Sequence, residues 1–121
     1  MFKIENDTIK VTRATKGVIE FSIDDYTFNI GDTIEFRIYN KKKLNEPPVM
    51  TKEIKVTQAC TSVDIELTCE DTDIGEPINK MVEYWYEIEL NDEQTIIGFD
   101  DINGPKILEL YPKGVEEDDQ I

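Results

Sequence analysis

The stretch MVEYWYEIEL, residues 81 to 90, decides the fold. Its even positions, Val82, Tyr84, Tyr86, Ile88 and Leu90, are aliphatic or aromatic, while its odd positions include Glu83, Trp85, Glu87 and Glu89. Side chains alternate across a strand, so a period of two sorts these sets onto opposite faces, whereas a helical period would mix them. The even face is expected to point into a core. Trp85, the single tryptophan of the chain, then points outward among three carboxylates. Like charges on one face repel unless basic residues stand across from them, and Arg37 or Lys55 are the candidates to do so.

The same alternation runs through IKVT (9–12), GVIEFSI (17–23), TIEFRIYN (33–40), VMTKEIKV (49–56), SVDIELT (62–68), TIIGFD (95–100) and KILELY (106–111). In 33–40 it places Ile34, Phe36 and Ile38 inward and Glu35, Arg37 and Tyr39 outward. DDYTFNI carries Tyr26, Phe28 and Ile30 at the same period after a bend at Asp24-Asp25. Turn signals separate the runs: Asn29 to Asp32, the polar KKKLNEPP (41–48), Asn91 to Gln94, and Asp101 to Pro105. CEDTDIGEPINK (69–80) is the longest departure, and its Asp71 and Thr72 predict one helical turn ending at Gly75 and Pro77, a crossing between two sheets. Together these features predict an all-β, immunoglobulin-like β-sandwich of about seven to nine short, mostly antiparallel strands. One domain is expected over residues 1–112, with 113–121 an acidic tail or the start of a linker.

A chain of 121 residues buries enough surface to hold one core without disulfides or metal. Its net charge of −14, from 27 acidic and 13 basic residues, opposes binding to nucleic acid, which needs cations at each phosphate, and to anionic membranes. The opening MFKIENDTIK has no apolar centre of the kind a secretory signal requires, so synthesis without export is expected. Cys60 and Cys69 flank a run that alternates like a strand. Extended, the nine residues span on the order of 30 Å, too far for a disulfide, and both thiols are expected to be free. Cys69 continues the apolar series Val63, Ile65, Leu67 and is expected to be buried.

Chemistry finds few footholds. With no histidine and two cysteines, neither a zinc site nor the usual base of a nucleophilic triad can be assembled. Nucleotide-binding glycine motifs are absent from the sequence, so no cofactor is expected. Glu83 and Glu87, four apart on one strand, stand about 13 Å from each other, beyond the spacing of a glycosidase pair. Glu70 to Asp73 and Asp100 to Gly104 suggest calcium, yet the second has Phe99 and Leu110 where an EF-hand loop requires its first and last ligands, and Asx-rich turns arise for conformational reasons alone. No metal is expected. An outward Trp85 near Tyr39 could stack a sugar ring, with Glu83 and Glu87 as hydrogen-bonding flanks, or could anchor a protein interface.

VTRATKGVIEFSI followed by GDTIEFRIYNKK resembles the N-terminal domain of the phage baseplate upper protein family, from phages of Gram-positive bacteria. Arg13 matches the first residue of that family's Arg-Gly-Asp-Thr, and Ala14, Thr15 and Lys16 replace the other three. YWYEIEL (84–90), TIIGFD and ILELYPKG (107–114) are similar to the closing strands of such domains. The resemblance implies a non-enzymatic module of a phage tail or baseplate, made in the bacterial cytoplasm without a signal peptide and located in the virion, that docks to other tail proteins or to copies of itself. The candidate surface comprises Trp85, Tyr39, Arg37, Glu83 and Glu87. A carbohydrate-binding sandwich using exposed aromatics is the alternative.

Overall fold

The computed structural model describes residues 1–40, 46–91, 94–97 and 106–113, the backbone alone for 94–97. Nine strands are formed by these residues: β1 (Phe2–Glu5), β2 (Thr8–Thr12), β3 (Gly17–Phe21), β4 (Thr33–Tyr39), β5 (Met50–Lys55), β6 (Val63–Leu67), β7 (Val82–Leu90), β8 (Gln94–Ile97) and β9 (Lys106–Tyr111). The chain is all-β. One sheet runs β1-β2-β9-β7-β4-β5, with β8 also paired to β7, and the other is the pair β3-β6. All pairings are antiparallel except β2 with β9, which is parallel.

The two sheets share one core. Ile34, Phe36 and Ile38 of β4, Tyr84, Tyr86, Ile88 and Leu90 of β7, and Leu108 and Leu110 of β9 meet Ile19 and Phe21 of β3 and Val63, Ile65 and Leu67 of β6. The alternation in 81–90 therefore sorted its inward residues correctly. At roughly 25 cal/mol per Å² of apolar surface, burying each such side chain contributes about 1.5 to 3 kcal/mol, which is why the period of two dictates the register. Strands β3 and β6 form the second layer of a sandwich-like arrangement, packed through this core against the large sheet.

The connection from β6 to β7 crosses between the sheets and is held by side chains rather than by a helix. Residues 69–72 form a turn closed reciprocally, Thr68 N–H donating to the Asp71 carboxylate at 2.8 Å and Asp71 N–H to the Thr68 hydroxyl at 3.2 Å. The helical turn expected at Asp71 is thus replaced by this turn. Arg13, buried at the end of β2, donates to the carbonyls of Ile74 (2.5 Å), Gly75 (3.3 Å) and Glu76 (2.9 Å). Gly75 has φ +69°, and a Cβ there would collide with the Tyr84 hydroxyl, so the corner requires glycine both for its backbone and for its space.

Three sequence expectations are corrected. Cys69 is exposed, because the strand stops at Leu67 and the turn carries the thiol outward. Ile30 does not continue the alternation inward: it is 74% exposed, while Phe28, bridged to Cys60, is fully buried. Strand β1 was not anticipated, although Asn6 (φ 50°) and Asp7 (φ 68°) make the two-residue turn that joins it to β2. Cys60 and Cys69 are both free. Lys41 to Lys43, the turn at Asp101 to Pro105 with its calcium reading, and the acidic end fall outside the described residues.

Candidate functional site

The outer face of the large sheet gathers the outward residues of β4, β5, β7 and β9. Their register is fixed by the inward side chains, so the outer rows follow from the core. Tyr39 stands opposite Trp85, and Trp85 opposite Ile107, giving an apolar row across three strands. Arg37 stands opposite Glu87 and Thr51. In the next row Glu35 lies between Glu53 on β5 and Glu89 on β7.

Arg37 is the hub. Its guanidinium donates to Glu87 at 2.9 Å and forms close ion pairs with Glu89 and Glu35. The Tyr39 hydroxyl donates to the same Glu87 oxygen at 2.8 Å. Glu87 is only 4% exposed and Tyr39 6%, although both lie on the face turned away from the core. A carboxylate can be held there because two donors replace the water it loses. Desolvation alone would lower the Arg37 pKa, but the hydrogen bonds and charges of its glutamates outweigh it and hold the guanidinium above its ordinary value. Burial, and then the hydrogen bond to Glu87, push the Tyr39 phenol up to about 12.

The structure thus brings together four of the five residues singled out from the sequence, Arg37, Tyr39, Trp85 and Glu87, and sets Glu83 apart. Glu83 is exposed opposite Glu109, on the far side of Trp85 from the hub. Arg37 supplies the neutralising charge expected for the outward face. Lys55 stands opposite Thr33, one row beyond Glu53, and makes no ion pair with these carboxylates. Two expectations change with burial. Tyr39 was expected as an exposed aromatic and is covered, its hydroxyl turned into the network; Glu87 was expected as a solvent-facing flank and is likewise covered. Trp85 is half-buried and keeps part of its indole at the surface.

Glu35, Glu53, Glu89 and Ile107 belong to the same surface and were not among the residues singled out from the sequence. The outward parity of their strands was the available signal. What parity lacks is which strands are neighbours, and only that brings Glu53 and Glu35 beside Glu89. Elsewhere, in the acidic turn, Asp71 is engaged by Lys52 at 2.9 Å and Asp73 by Arg13 at 3.2 Å. Among the described residues no cluster of three or more histidine, cysteine or acidic side chains is placed to hold a metal ion. Comparison with family models, with curated proteins and with solved structures gave no match.

Proposed function

We propose that the chain is a non-enzymatic structural and assembly module that docks to other proteins through the outer face around Trp85, in a phage tail or baseplate as the sequence resemblance implies. The observation that carries this reading is the framing of Trp85. A half-exposed indole sits in a flat row between Tyr39 and Ile107, on strands whose neighbouring polar groups are locked to one another. A rigid aromatic with little conformational entropy left to lose is what an interface anchor requires. Every buried side-chain polar atom among the described residues already has a hydrogen-bond partner, so Glu87 and Tyr39 beneath the face need nothing from a docking protein.

Burial of Tyr39 leaves Trp85 as the one partly open ring of the pair, and a sugar-binding face built on two exposed aromatics loses half of its platform. Co-expression with the products of adjacent reading frames, followed by size-exclusion chromatography, tests the assembly reading. Association is expected with the native chain and is expected to be lost in Trp85→Ala, with an unchanged far-ultraviolet circular dichroism spectrum. Association that survives Trp85→Ala, or a chain that stays alone while cell-wall glycans shift its tryptophan emission, would refute it.

A further inference from the structure

The outer face is not evenly charged. On the β1-β2 side Lys3 and Lys10 both pair with Glu5, at 3.3 Å and 3.7 Å, and Lys10 also stands beside Glu109. On the β5-β4-β7 side three carboxylates, Glu35, Glu87 and Glu89, share the guanidinium of Arg37, and a fourth, Glu53, stands opposite Glu35. Glu53, Glu35 and Glu89 occupy directly opposed positions on three adjacent strands. Like charges facing each other across a ladder destabilise a sheet. Arg37 relieves Glu35 and Glu89, but among the described residues neither Glu53 nor Lys55, one row away, makes an ion pair. A chain that keeps such a row gives up stability in the free state, which natural sequences do mainly where a partner makes use of it.

We propose that the β5-β4-β7 half of this face receives a basic segment of a partner protein, which lays arginine or lysine side chains against the Glu53, Glu35, Glu89 row and reaches Trp85, about 13 Å away along β7 at the strand rise. This rests on the assembly reading above and specifies its partner. Charge complementarity selects the occupant. A second copy of this chain would set glutamate against glutamate and bring together two bodies of net charge −14, and nucleic acid or an anionic lipid surface would be repelled by the same field. A cationic side chain gains Glu53 and adds to the single charge that Glu35 and Glu89 share, and an arginine gains in addition the open part of the indole.

The test uses the whole chain, isotopically labelled, and a soluble probe peptide of alternating arginine and glycine, with a serine and glycine peptide as control. The arginine peptide is expected to shift the Trp85 indole N–H and the amides of β4, β5 and β7 at 50 mM salt, and to bind at least threefold more weakly to Glu53→Gln. The same substitution is expected to raise the unfolding midpoint of the free chain by about 2 °C, because it removes a like charge from the row. Shifts confined to Asp24-Asp25, residues 70–73 or the acidic end, or equal affinity of the native chain and Glu53→Gln, would overturn the proposal. The two readings fail separately. Assembly lost in Trp85→Ala but insensitive to Glu53→Gln leaves the docking face standing and removes its basic partner; assembly intact in Trp85→Ala removes the face itself.

Discussion

Arg37→Met is the sharpest perturbation of the outer face. The native guanidinium serves Glu35, Glu87 and Glu89, whose side chains are 15%, 5% and 19% exposed, and is itself 17% exposed. Methionine fills much of the volume of the arginine stem, so lost packing is small and the effect is largely electrostatic. Breaking a buried pair by removing one partner costs about 3 to 5 kcal/mol, against about 0 to 1 kcal/mol for a pair in open solvent. Glu87 is as covered as the buried case requires; Glu35 and Glu89 are partly wet. The lower end, about 3 kcal/mol, is therefore expected. With a urea dependence of about 2 kcal/mol/M, typical of domains this size, the unfolding midpoint falls by about 1.5 M. Adding Glu87→Gln to Arg37→Met removes the stranded charge and is expected to restore at least half of the loss, a coupling that equilibrium unfolding of the native, two single and double variants measures. A loss below about 0.5 kcal/mol for Arg37→Met would mean that the network is an ordinary exposed ion pair and that Glu87 is not held by it.

Gly75→Ala is expected to destabilise by about 2 kcal/mol or more, from the left-handed backbone and the collision with the Tyr84 hydroxyl, and Tyr84→Phe in the same chain is expected to recover the steric part but not the backbone part, read by thermal unfolding. Acid stability depends on Asp71, whose folded pKa is lowered by the Thr68 N–H and hydroxyl and by Lys52 against the opposing effect of burial. Its contribution is complete above the ordinary carboxylate value and lost as pH falls through the folded value, so Asp71→Asn is expected to be less stable than the native chain at pH 7 and to show a flatter decline below pH 4. At the alkaline end the sign reverses. Burial raises Tyr39 to about 12 and Tyr86 further, so their contributions are complete below pH 10 and lost above it, and absorbance at 295 nm is expected to show these two phenols ionising only as the chain unfolds.

The inward half of the fold was legible because hydrophobic burial obeys parity. From Val82 to Leu90, and from Lys106 to Tyr111, one period assigns the strand and its buried face together. The parallel pairing of β2 with β9 could not be read, since the two strands are nearly a hundred residues apart in sequence and nothing local encodes their contact. Extended past Leu67 that period would carry Cys69 into the core, but the Thr68 and Asp71 pair ends the strand there. The outer face was legible by composition only. Parity places Tyr39, Arg37 and Glu87 outward, but the hydrogen bonds that let Glu87 lose its water run across the β4-β7 ladder, and a single strand does not contain that information. Arg13, the one residue that matches the family's Arg-Gly-Asp-Thr, clamps the carbonyls of the crossover.

The central claim is that the open part of the Trp85 indole is covered by another protein. Because the chain has one tryptophan, 5-fluorotryptophan incorporated into it alone reports that side chain without ambiguity, and its fluorine resonance can be compared for the free chain and for the purified assembly. A changed chemical shift, together with loss of the solvent isotope shift seen in the free chain, is the predicted result. An indole that stays equally open to solvent in the assembly would contradict the account.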